Sequence, residues 1–110
     1  MHILLATGPI DFRKGIDGLA AVARSVLDKD PFSGYVFVFS NKKRTSIKIL
    51  IYDGQGFWLC QKRLSSGRFN WRPASTDSKS LELAAHQLQL LIYNGDPNTH
   101  TAPVWKKILK

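Results

Sequence analysis

The chain is poor in cysteine: Cys60 stands alone among 110 residues, so no disulfide can form within it. That excludes the cross-linked scaffolds of small secreted proteins and points to a reducing, cytoplasmic setting. Long apolar runs are missing too, and none approaches the roughly 18 residues a membrane span requires. The opening Met1-His2-Ile3-Leu4-Leu5-Ala6 is too short and too weakly basic to read as a secretory signal. Histidine is limited to His2, His86 and His100, which are far apart and lack metal-ligand spacing. No serine lies in a nucleophile elbow, and Thr7-Gly8-Pro9 is no phosphate-cradling loop. Cys60 falls mid-strand and reads as a small packing residue. Asp11, Asp17, Asp53, Asp77, Glu82 and Asp96 are the acids a two-metal site would need. Asp11 reads better as a helix cap and Asp53 as a turn former. The expectation is a protein that is not an enzyme and holds no metal or cofactor.

Acidic residues are scarce, eight against sixteen lysines and arginines, which leaves a net charge of +8. Such an excess draws polyanions, and nucleic acid is the commonest of these in a cytoplasm. Hydrophobic residues make up 44% and charged residues 22%, the balance of a folded chain. Residues 1–96 read as a single domain, and 97–110 as a tail that Val104 and Trp105 can dock on the body.

Residues 2–6 suggest a short strand stopped by Gly8-Pro9. Asp11 then suggests the cap of a helix from about Phe12 to Leu27, with Ile16, Leu19, Ala20, Ala23, Val26 and Leu27 on one stripe. Gly15 and Gly18 weaken that helix and suggest that a backbone or ligand comes close. Three β-branched and aromatic runs follow: Tyr35–Ser40, Thr45–Tyr52 and Phe57–Leu64. Their turns are Asn41-Lys42-Lys43-Arg44 and Asp53-Gly54-Gln55-Gly56, which make an antiparallel meander. Arg68–Trp71 suggests a short edge strand and Leu81–Leu83 another, before a helix over Ala84–Tyr93. The fold class is α+β: an antiparallel β-meander sheet packed with an N-terminal and a C-terminal helix.

A four-residue turn at 53–56 pairs Tyr52 with Phe57, Leu50 with Leu59 and Lys48 with Gln61. Ile47, Ile49 and Ile51 then share the opposite face with Trp58 and Cys60, and that more apolar face should pack on a helix. The first face carries Lys48, Tyr52, Phe57 and Arg63. It suits either a nucleic-acid surface of cations and rings or an ordinary core on a sheet buried on both sides. Lys42, Lys43 and Arg44 make either a solvated turn or a prong for phosphates.

Several combinations occur together in order. Ala6-Thr7-Gly8-Pro9-Ile10-Asp11-Phe12-Arg13-Lys14-Gly15 leads to Gly18-Leu19 and then to Asp30-Pro31-Phe32-Ser33-Gly34-Tyr35-Val36-Phe37-Val38-Phe39. Lys48, Asp53-Gly54-Gln55-Gly56, Lys62-Arg63-Leu64 and Gly67-Arg68-Phe69-Asn70-Trp71 follow, with Gln87-Leu88, Leu90-Leu91 and Gly95 near the end. This closely resembles the TnpB-type accessory proteins of bacterial insertion-sequence family sixty-six, encoded beside a transposase. Ala84 stands where relatives carry a Ser or Thr cap, and Arg72 separates Trp71 from Pro73. The resemblance implies a part in transposition without the strand-transfer active site, which belongs to the larger transposase.

The leading expectation is DNA binding that helps the transposase assemble. Its phosphate contacts are Arg13, Lys14, Lys42, Lys43, Arg44, Lys48, Lys62, Arg63 and Arg68. The alternative is an adaptor that docks on the transposase without touching DNA, anchored by Phe69, Trp71 and Trp105. A third option, a metal-dependent nuclease, requires the scattered acids to converge.

Overall fold

The computed structural model describes residues 1–70 and 78–93. Five strands and two helices form: β1 (Ile3–Ala6), α1 (Ile16–Ser25), β2 (Val36–Ser40), β3 (Ser46–Tyr52), β4 (Phe57–Arg63), β5 (Ser80–Leu83) and α2 (Ala85–Ile92). The sheet runs β4-β3-β2-β1-β5. The class is α+β as expected, and β2-β3-β4 is the expected meander. The whole sheet is mixed, because α1 carries the chain back so that β1 lies parallel to β2, while β5 adds antiparallel on the far side of β1. A parallel neighbour needs such a crossover, whereas hairpins suffice for the rest.

β1 and β2 are buried along their whole length, which explains their near-continuous apolar sequence. Leu4, Ala6, Phe37, Phe39 and Leu50 pack under Leu19, Val22, Ala23 and Leu27 of the α1 segment. On the other face Ile3, Leu5, Val36, Val38 and Ile47 pack with Leu83, Leu91 and Phe69. The sheet is therefore a central layer with core on both sides, and the face read as a possible nucleic-acid surface is mostly covered. The β3–β4 register is the one inferred from the turn: Tyr52 with Phe57, Leu50 with Leu59, Lys48 with Gln61. Cys60 is mid-strand but exposed rather than packed.

α1 starts four residues later than its sequence suggests. The Asp11 carboxylate accepts the Arg13 N–H at 3.0 Å, and the Lys14 N–H reaches the Asp11 carbonyl at 3.1 Å, so Asp11 closes a turn ahead of the helix. Gly15 is the N-cap and supplies no side-chain bond. Among the described residues no other backbone crowds Gly15, where a Cβ would meet nothing within 4 Å, and the nearest atoms to a Cβ on Gly18 are those of the Lys14 side chain, from 3.0 Å. Ala84 is the N-cap of α2, and its N–H donates to the Gln87 side chain at 2.7 Å, the half of a capping box that needs no Ser or Thr. Residues 68–70 form no strand; Phe69 N–H makes a single bond to the Arg44 carbonyl at 2.7 Å. Trp71, the tail from 97 with Val104 and Trp105, and the rest of that expected edge strand lie outside the described residues.

Candidate nucleic-acid interface

Strand direction decides where the cations fall. β2 ends at Ser40 and β3 starts at Ser46, so Lys42, Lys43 and Arg44 lie at the end of the sheet where β1 also finishes. β4 rises to the same end, bringing Lys62 and Arg63 beside Ile47 and Ser46, with Arg68 in the turn beyond. Arg13 and Lys14 belong to the loop leaving β1, which Ile10 N–H ties to the Ser40 carbonyl at 3.0 Å. All nine of the cations expected to contact phosphate thus belong to this end of the sheet.

Their local settings differ. The hairpin carrying Lys42 and Lys43 is wound on Asn41. Its side-chain oxygen accepts the Thr45 and Ser46 N–H groups at 2.9 and 3.1 Å, and its amide donates to Thr45 Oγ1 at 2.9 Å. Arg44 closes the turn in the left-handed region at φ 57° and is half-buried. Lys42 and Lys43 are left exposed at the tip, as are Arg63 and Arg68 further on. Arg13 forks onto Asp11, with Nη2 2.8 Å from Oδ2 and Nε 3.1 Å from the same oxygen. These side-chain and backbone bonds hold the Asp11 carboxyl down to about 2, and the same pairing raises Arg13. Both groups face water, so the pair orients the guanidinium more than it stabilises the fold.

Two of the expected contacts have other work. Lys48 is only 7% exposed; its Nζ donates to the Phe12 and Lys14 carbonyls at 2.8 and 2.9 Å and lies 4.9 Å from the Phe12 ring centroid. It anchors the loop that carries Arg13 and Lys14, and its ammonium is turned away from any ligand in solvent. Lys62 donates to the Ile92 carbonyl at 2.6 Å and lies 5.3 Å from the Tyr93 ring, capping the end of α2 where carbonyls lack partners. Phe69 is corrected as well. At 3% exposure it is core, so it is no surface anchor.

Sequence reasoning missed Lys79, exposed at the same end, where its carbonyl accepts the Thr7 N–H at 3.0 Å. It places Asn41 in the hairpin turn, but not as the side chain that holds it. The opposite end of the sheet has a different character. Phe32 lies 4.9 Å from Tyr52 and 5.2 Å from Phe57, centroid to centroid, and Tyr35 stacks on His2 at 4.8 Å. Carboxylates gather there. Glu82 pairs with His2 at 2.7 Å, and Asp53 holds the β3–β4 turn through the Gln55 and Gly56 N–H groups and the Trp58 indole. Those donors lower the Asp53 carboxyl below the usual carboxylate range. Among the described residues no three His, Cys, Asp or Glu side chains group as a metal site, and no helix is long and apolar enough to cross a membrane.

The described residues make an α+β chain with a helix on each face of its sheet and cations at one end of it, and comparison assigns its family. The family model described as IS66 Orf2 like protein matches residues 1–101, and the chain belongs to that family, the accessory proteins of an insertion sequence. It is similar to two proteins of Sinorhizobium fredii (strain NBRC 101917 / NGR234). The uncharacterized protein y4jC is 36% identical over 92 residues, 84% of this chain and 77% of that protein. The uncharacterized protein y4hO is 33% identical over 106 residues, 96% of this chain and 90% of that one. No solved structure matches the chain.

Proposed function

We propose that this insertion-sequence accessory protein works in the cytoplasm as a non-catalytic DNA-binding component that helps the transposase complex assemble. The basic end of the sheet meets the phosphate backbone. The observation that carries this reading is the gathering of exposed Lys14, Lys42, Lys43, Arg63 and Arg68 at one end, while Asp53 and Glu82 lie at the other. Exposed cations outnumber the carboxylates Asp11 and Asp17 at this end, an excess that suits a ligand of uniform negative charge. Arginine forks and the exposed lysine tip grip phosphate oxygens without reading bases, so binding is predominantly independent of sequence. Lys48 and Lys62 hold the surface together and leave the contact set. The adaptor reading rests on no described residue, because Phe69 is buried and Trp71 and Trp105 lie outside the described residues.

Fluorescence anisotropy with a short duplex, titrated from low to moderate salt, tests the proposal. With about five phosphates neutralised, log K falls against log salt with a slope of about −4 to −5. A flat response, or no binding at low salt, refutes it.

A further inference from the structure

Strand β4 closes one side of the sheet, and among the described residues no strand pairs with its outer edge. The ladder with β3 reveals which backbone groups that edge leaves open. Leu64 N–H donates to the Thr45 carbonyl at 2.9 Å and Asp53 N–H to the Gly56 carbonyl at 3.0 Å, and the register between them is unbroken. By alternation, Trp58, Cys60 and Lys62 exchange bonds with β3, whereas Phe57, Leu59, Gln61 and Arg63 direct their N–H and C=O groups outwards. An open edge of this length is a template for another strand. The usual protections are weak in β4: it contains no proline and no bulge, and its only charges are Lys62 and Arg63 at one end.

We propose that a second copy of this chain adds its own β4 to this edge, antiparallel and fully overlapped, about a two-fold axis at Cys60. The strand is complementary to itself in that register. Full overlap joins Phe57 to Arg63 and Leu59 to Gln61 of the other copy, so every outward backbone group is used; a shifted register leaves some unbonded. It also sets Trp58 across from Lys62 on one face and Phe57 across from Arg63 on the other. Each cation therefore meets a ring and none meets another cation. Trp58 is 61% exposed and Cys60 is exposed, so α2, which touches this strand at Lys62, leaves its middle uncovered. The antiparallel sense brings the Arg63 end of one copy to the end of the other that carries Asp53, whereas a parallel pairing would set basic end beside basic end. Cys60 meets its equivalent at a position without backbone bonds, with Cα atoms about 4.5 Å apart, which a disulfide can bridge. The thiol reports the interface; the strand edge makes it. This association does not depend on the DNA reading.

Light scattering of the full chain in reducing buffer at high micromolar concentration tests it directly. The expected mass is twice 12.4 kDa, and mild oxidation is expected to convert that species to a disulfide-linked pair. Gln61→Pro removes one outward N–H at an exposed site without touching the β3 ladder, and Trp58→Lys sets like charges across the axis. Each is expected to return the mass of one chain with unchanged circular dichroism. Moving the thiol one position, with Cys60→Ser and Gln61→Cys together, is expected to keep the doubled mass and lose the cross-link, because position 61 faces Leu59. A single-chain mass for the wild type overturns the proposal. So does a doubled mass indifferent to both substitutions, or equal cross-linking from position 61.

Discussion

Lys48→Met removes an ammonium and keeps most of its stem. In the folded chain that ammonium donates to the Phe12 and Lys14 carbonyls at 2.8 and 2.9 Å, from a residue 7% exposed. A hydrogen bond from a charged group contributes about 1.5–3 kcal/mol, so two such bonds contribute about 3–6 kcal/mol. Desolvating the ammonium offsets part of that, leaving an expected loss of about 2–4 kcal/mol. Against a total stability of about 5–15 kcal/mol the effect is easily resolved. Urea unfolding followed by circular dichroism, with a slope of about 2 kcal/mol per molar, is expected to show a midpoint lowered by about 1–2 M. The proposed DNA binding supplies a second readout. Lys48→Met is expected to weaken affinity while keeping the salt slope, because its charge faces carbonyls rather than phosphates. Under the proposed DNA binding, Lys14→Ala removes a phosphate contact and is expected to make the slope shallower by about one. An unchanged unfolding midpoint in Lys48→Met, or a slope reduced as in Lys14→Ala, refutes the anchoring role.

Two further outcomes follow from single side chains. Phe69→Ala empties a site buried to 3% exposure within the α2-side core and is expected to cost about 3–5 kcal/mol; a thermal unfolding shift no larger than that of a surface substitution would contradict its burial. The Asp11 carboxyl is held at about 2 instead of 3.8, chiefly by its bonds from Arg13. Because the folded value is the lower one, whatever the pair adds to folding is complete above the unfolded value and is lost as pH falls through about 2. A carboxyl NMR titration is expected to place Asp11 there and to move it up towards 3.8 in Arg13→Ala, and an identical midpoint in the variant would disprove the pairing.

How much of this was readable from sequence depended on the range of the contacts involved. The β3–β4 register was legible because a four-residue turn fixes pairing locally, and Asp53 announced that turn. The start of α1 was not, because an Asp whose side chain accepts a nearby N–H serves a turn as well as a cap, and the choice depends on Lys48, far along the chain. Lys48 itself looked like any cation on an alternating strand; only the loop folding over it makes it buried. Phe69 stands among polar residues, so nothing nearby marks it as core. The gathering of the cations was hidden for a topological reason. They come from the loop after β1, the β2–β3 hairpin, strands β3 and β4 and the turn beyond, and only the order and direction of the strands bring these segments to one end. The place of β1 between β2 and β5 was equally hidden, since neither neighbour is close to it in the chain.

That position of β1 sets an order of events during synthesis. Of these five strands the earliest made, β1, ends inside the sheet beside its edge strand β5, with Ile3 across from Leu83. The β2-β3-β4 hairpins can close from local contacts, but β1 keeps one bare margin until β5 has emerged, and closing so long a loop is entropically slow. A nascent chain halted before residue 80 thus carries an apolar strand with an unfilled side, the kind of surface that holdase chaperones and aggregation compete for.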